Sequence, residues 1–268
     1  MRLGLRPLPG AQQSHHGRAR DRSPTTIGAT YRRTARCAPV LLVDHPEGKI
    51  AVAQPAHAWV SGQLARAWGN ERFGAVEPLA EVCLAAEQHD VPWLEWERRP
   101  KLDPQTGYPH TFMSLDMPTK NAMWRDGPDL LLAQSRYAAL LVSLHGSRLY
   151  EGIDRSGFEA AVRQTLGAPA EEVERNRRLL WAWDGFSLAL LLGWAPWTAK
   201  DVPAADGRVD VHLSAEGTLD PWPFRAERVE IRCEGRLLLA PSADQAELDA
   251  ALASAPWVEL GYALRPAT

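Results

Sequence analysis

The sequence predicts a mainly helical α+β protein: a helical core over about residues 55–195, with a small antiparallel sheet formed by N- and C-terminal strands. Two observations carry this. Between 55 and 193 apolar residues recur at three- and four-residue spacing, the period of a half-buried helix. Before residue 54 and after 205 the period falls to two, in short runs bounded by turn formers. At 268 residues the chain can bury a substantial core.

Residues 1–36 stand apart. They hold eight Arg and one acidic residue, Asp21, without apolar periodicity. Such a stretch cannot bury enough surface to offset its ordering entropy, so a disordered Arg-rich tail is expected. It lacks the amphipathic period of a transit peptide. The remaining 37–268 is expected to form a single domain, its C-terminal part from about 205 being β-rich.

Pro39–Val43 and Lys49–Ala53 read as two strands of a hairpin across a loop of turn formers. Pro55 suits a first helical turn, and His57, Val60, Ser61, Leu64 and Trp68 share one face until Gly69-Asn70. A second helix runs from about Pro78 to Asp90, with Leu79, Val82, Cys83, Ala86, His89 and Asp90 on one stripe. Residues 93–127 carry Pro and Gly but also Trp93, Trp96, Phe112 and Trp124, which predicts an ordered cover rather than a linker. Helices follow over Pro128–His145, Ser156–Leu166 and Ala170–Gly193. The last has carboxylates in its first turn, where the helix dipole favours them. Arg208–Leu213 alternates as a strand, Ala226–Cys233 and Arg236–Leu239 read as a hairpin over Glu234-Gly235, and a helix at 243–254 precedes a strand near Val258–Leu264.

Composition narrows the function. The chain is 45% hydrophobic and 24% charged, the balance of a globular protein. A net charge of −3 supplies no basic field for nucleic acid or a membrane surface. No apolar run approaches the ~18 residues of a membrane span. Cys37, Cys83 and Cys233 are far apart and form no thiolate pair, so a reducing, cytoplasmic setting is expected. The partner left by these exclusions is a small-molecule substrate.

The chemistry lies on the helical stripes. His57 opens the buried face of the first helix, His89 and Asp90 end that of the second, His145 ends that of the third, and Asp184 interrupts that of the last between Leu180 and Leu188. A carboxylate on an apolar stripe is costly unless it is paired, protonated or bound to metal. Imidazole with carboxylate suits a divalent transition metal, Fe, Mn, Zn or Ni. From the cover, Trp93, Arg98, Lys101 and His110 are candidate substrate contacts, the cations for an anionic group, and Glu97 is a candidate general base.

The phrases AHAWVSGQLARAW, AAEQHDVPWLEWERRP, TGYPHTF, YAALLVSLHG, WDGFSLALLLGW and DPWPF (Asp220–Phe224) resemble an uncharacterised bacterial family, domain of unknown function 3891. That resemblance brings no activity. The order of a helical His, a His-Asp pair ending the next helix and a late Asp also resembles the HD-domain superfamily of metal-dependent phosphohydrolases. This implies an HD-like helical architecture, His57, His89, Asp90 and Asp184 as metal ligands, and His145 as a further ligand or proton donor. The expected function is a metal-dependent hydrolase of a small phosphorylated or anionic molecule. Oxygenases of that superfamily hold two irons on four His and two Asp, a count reached here only with His145 and His110. A metal-free binding module, its polar residues satisfying one another, is the reading from another class.

Overall fold

The computed structural model describes residues 41–268; the predicted tail at 1–36 and the first two residues of the predicted opening strand lie outside them. β1 (Leu41–His45) and β2 (Gly48–Val52) form the expected hairpin, with His45 opposite Gly48. Pro55 occupies the first turn of α1 (Gln54–Ala67), and α2 (Leu79–Gln88) stops at His89. Leu79 is 48% exposed, so the inward stripe of α2 begins at Val82 rather than Leu79.

The stretch predicted as irregular contains α3 (Leu94–Glu97) and α4 (Met117–Asp126). Asp116 caps α4 by accepting the Thr119 N–H at 2.9 Å, with Pro118 in the first turn. The third predicted helix is shorter at its start. Gly127–Leu131 is a 3-10 turn, and α5 (Arg136–Leu149) begins where the Ser135 hydroxyl accepts the Ala138 N–H. α6 (Ser156–Leu166) ends at Gly167, and α7 (Ala170–Leu191) is the longest helix among the described residues.

The expectation of an HD-like, mainly helical protein with a small antiparallel sheet is corrected by the strands. β3 (Trp197–Ala204), β4 (Gly207–Leu213), β5 (Thr218–Asp220), β6 (Val229–Leu238) and β7 (Trp257–Pro266) join the hairpin in one seven-stranded sheet, ordered β1-β2-β6-β7-β5-β4-β3. It is mixed: β5 pairs with β7 in parallel, all other neighbours are antiparallel. An all-α core is therefore not what the chain forms.

Two features hid the sheet. β6 is one continuous strand, not a hairpin over Glu234-Gly235. A Cβ on Gly235 would stand 2.5 Å from Ile50 Cγ2 and 3.0 Å from the Ala51 carbonyl, so this glycine admits the neighbouring strand rather than making a turn. β3 is broken by a register shift between Ala199 and Val202, with Asp201 at φ 54°, which spoils its alternation. α8 (Gln245–Ser254) lies between β6 and β7 in sequence.

α1 packs on α2, α7 and β6, and α2 packs on α5 and α7, so four helices share one interior. The sheet grips α1 directly: the Gln63 amide donates to the Arg232 carbonyl at 2.8 Å and accepts its N–H at 3.0 Å. At the end of α1 the indole of Trp68 meets Phe73, Trp183 and Phe224 edge-on. The Asp220–Phe224 phrase thus serves packing, its Phe224 anchoring α1 beside α7.

Candidate metal centre

His57 lies in the first turn of α1, held there by Pro55 and by the start of the helix after β2. His89 is the cap residue of α2, and Asp90 follows at φ −101° and ψ 16°, outside the helix. His145 sits one turn from the end of α5, and Asp184 lies in the second half of α7. All five are buried: the three imidazoles are at most 1% exposed, Asp90 5% and Asp184 8%.

The structure brings their tips together. His57 Nε2 is 3.3 Å from Asp90 Oδ2, 3.1 Å from Asp184 Oδ1 and 3.3 Å from His89 Nε2. His89 Nε2 is 3.5 Å from Asp90 Oδ2 and 3.4 Å from Asp184 Oδ1. The other Asp184 oxygen faces His145 Nε2 at 3.4 Å. Atoms bound ~2.0–2.2 Å from a common ion stand about 3–3.5 Å apart. Among the described residues, the groups able to hold a metal are His57–His89–Asp90 and His89–His145–Asp184. His110 is in neither.

The far sides of the rings fix which nitrogen faces inward. His89 Nδ1 is 2.9 Å from the Ala86 carbonyl, which only accepts, so Nδ1 carries a proton and Nε2 is the nitrogen turned to the centre. The Ser187 hydroxyl donates to the Asp184 carbonyl at 2.8 Å and accepts from Ser61 Oγ at 3.1 Å. Its one proton is spent, so at 2.6 Å it accepts from His57 Nδ1. Two Nε2 atoms and the carboxylate oxygens therefore converge, and the positive charge between them is supplied by imidazole protons or by a metal ion in their place. This is the orienting role that bonds behind a metal-binding imidazole play.

Electrostatics express the same need. Burial lowers the His57 pKa, but hydrogen bonds and charges from Asp184 and Asp90 outweigh it and raise the value to about 9. His89 is pushed down by burial and raised on balance by the same carboxylates. Burial raises Asp184, yet its hydrogen bonds with His57 and His89 hold it well below the usual carboxylate range. His145 differs: burial dominates and lowers it to about 4. Neither of its ring nitrogens makes a hydrogen bond, and the ring packs among His89, Trp124 and Trp181.

The predicted contacts from the cover have partners of their own. Trp93 is fully buried against Trp96. Glu97 is buried, and its carboxylate accepts the Gln54 N–H at 2.7 Å where α1 begins. Arg98 pairs with Glu95, and His110 Nδ1 is 3.0 Å from the Ser114 hydroxyl. The stretch carrying Lys101 docks on α8, where Gln245 bonds both the Leu102 N–H and the Pro100 carbonyl.

Sequence reasoning missed two groups. Ser61 and Ser187 were on the inward stripes, but nothing in their spacing marks them as partners of a histidine 130 residues away from one of them. Tyr150 caps α5 with its ring against Trp124. Trp124 in turn packs on His145, and burial, then the charges of Asp90 and Asp184, raise the Tyr150 hydroxyl far above its ordinary value.

Among the described residues no helix is long and apolar enough to cross a membrane. No curated protein and no solved structure matches the chain, so the HD resemblance finds no support there. Residues 40–240 match the model of the family described as protein of unknown function (DUF3891), and with most of its length covered the chain belongs to that family.

Proposed function

We propose that the protein is a metal-dependent hydrolase acting on a small phosphorylated or otherwise anionic molecule. His57, His89, Asp90 and Asp184 hold one divalent transition metal. The observation that carries this reading is the convergence of two imidazole Nε2 atoms and two carboxylates at 3.1–3.5 Å, in an interior where two unneutralised carboxylates are costly. The donor set has no thiolate, and so differs from the Cys-rich sets of closed structural zinc sites. When bound, the metal lowers the pKa of a coordinated water and polarises an electrophile.

The chain's own residues do the rest. Ser187 and the Ala86 carbonyl hold the His57 and His89 rings with Nε2 inward. His145 is neutral at physiological pH and turns Nε2 toward Asp184, as a fifth ligand or as a proton donor. Trp124 and Trp181 pack against the His145 ring. Asp90 and Asp184 are the slightly more exposed members of the group.

Elemental analysis of the purified protein tests this. One equivalent of a transition metal per chain, reduced by Asp184→Asn, is expected. Two irons per chain favour a dinuclear oxygenase. Absence of metal, with stability indifferent to chelator, returns the chain to the metal-free binding module.

A further inference from the structure

The stripes that carry the metal-centre residues continue outward as basic ones. On α5, Arg148 follows His145 by one turn. On α7, Trp181 precedes Asp184 by one turn and Arg177 by two. The two stripes meet at Trp181. Its ring packs on His145, 5.7 Å between centroids, and the Arg148 guanidinium lies 4.7 Å from the centre of the same ring. Outside this wall is a cavity of about 160 Å³, also lined by Arg177, Arg178, Lys200 and Trp197, the last fixed edge-on against Phe186 of α7.

Charge in the cavity is unbalanced. Arg177 and Arg178 share the single carboxylate of Glu174. Lys200 pairs with Asp210 at 2.6 Å, and Asp201 adds one further carboxylate to the lining. Four cations thus face three carboxylates. Among the described residues no carboxylate pairs with Arg148, which an aromatic face holds in place instead. A guanidinium oriented this way keeps its donors free for an oxyanion.

We propose that this cavity is an oxyanion subsite for the substrate of the metal centre, receiving a phosphate or carboxylate group remote from the reacting bond. The inference rests on the metal-dependent reading above and narrows its substrate. Whole-ligand pockets measure about 300–1,000 Å³, so a cavity of this size takes one group, not a molecule. Arg177 lies two turns from Asp184, on the order of 10 Å along the helix. The anchored anion and the reacting group are therefore different ends of one small molecule.

The test is calorimetric titration of the full-length protein with inorganic phosphate and, separately, with succinate. It is run on the metal-loaded parent, on Arg148→Gln, on Arg177→Gln and on Asp184→Asn. Arg148→Gln and Arg177→Gln are each expected to weaken anion binding about ten- to a hundred-fold without changing metal content, while Asp184→Asn keeps it. Tighter phosphate than succinate assigns the subsite to phosphoryl groups, and the reverse to carboxylates. Binding that vanishes with the metal and ignores Arg148 overturns the subsite but leaves the metal reading intact. Arg148-dependent binding in a parent protein that holds no metal keeps the subsite and sinks the metal reading. No binding of either anion overturns the subsite outright.

Discussion

Replacing Ser187 by Ala removes a hydroxyl that is not itself a ligand but on which His57 depends. That hydroxyl lies 2.6 Å from His57 Nδ1, donates to the Asp184 carbonyl and accepts from Ser61, all in a buried setting. Alanine leaves the His57 Nδ1–H with no acceptor, and an orphaned buried donor costs about 1–3 kcal/mol. Without metal the imidazole escapes that cost by giving up the Nδ1 proton and keeping the one on Nε2, which Asp184 and Asp90 stabilise. Nε2 is the atom a metal needs, so the penalty falls on the metal-bound state and largely spares the metal-free one. Loss of an orienting bond behind a metal-binding imidazole typically lowers affinity about 10–100-fold, or roughly 1.4–2.7 kcal/mol, within the range from the orphaned donor. Competition against a chromophoric chelator measures the affinity, and denaturant unfolding of the metal-free protein measures the remainder. Ser61→Ala is the control. It leaves the Ser187–His57 bond in place and should cost only about 0.5–1.5 kcal/mol of stability. Unchanged metal affinity in Ser187→Ala would show that His57 is not held with Nε2 bare, and would remove His57 from the ligand set.

Glu97→Gln separates a structural from a catalytic role for that buried side chain: Gln keeps an acceptor for the Gln54 N–H at the start of α1 but removes the carboxyl group. A loss of about 1 kcal/mol in stability is expected, with metal content and turnover retained; turnover lost at full stability would make it the general base after all. Gly146→Ala places a Cβ 2.2 Å from Trp124 Cε3, and since Trp124 is fully buried its ring must be displaced. Overpacking of this kind costs about 1–3 kcal/mol, read by denaturant melt, and a shift in Trp emission should accompany it. A variant as stable as the parent would mean that the ring moves freely, and that the packing around His145 is looser than described.

The centre was legible because helical period is local information. His57, His89, Asp90, His145 and Asp184 each interrupt or end an apolar stripe, and four stripes in one bundle leave few interiors for them to point into. The cover residues were less legible because direction in a Pro- and Gly-containing stretch has no period. Glu97 looked catalytic but is tied to the first turn of α1. His110, expected as a substrate contact, has Ser114 as its neighbour. The offsets of Arg148 from His145 and of Arg177 from Asp184, by contrast, could have been counted from the sequence. The sheet was underestimated for a different reason. Its pairings are long-range, its interior strand β6 contains a glycine that reads as a turn, and β3 carries a bulge and Pro203. Each local signal argued against the non-local structure that prevailed.

That underestimated sheet bears on the centre although it supplies none of the five residues there. α1 carries His57, and between its first turn and Trp68 it is held by three separate contacts from outside the bundle. Glu97 accepts the backbone N–H at its start, Gln63 exchanges two hydrogen bonds with β6, and Trp68 is boxed by Phe224 after β5. Each contact fixes the rotation or the axial position of one helix. At 3.6 residues per turn, a slip of a single residue rotates His57 by about 100°, which removes Nε2 from the convergence with His89, Asp90 and Asp184. The C-terminal strands therefore act on the centre as a rotational lock on α1, and weakening of metal affinity by mutations in β6 would follow from that geometry rather than from any contact with the ion.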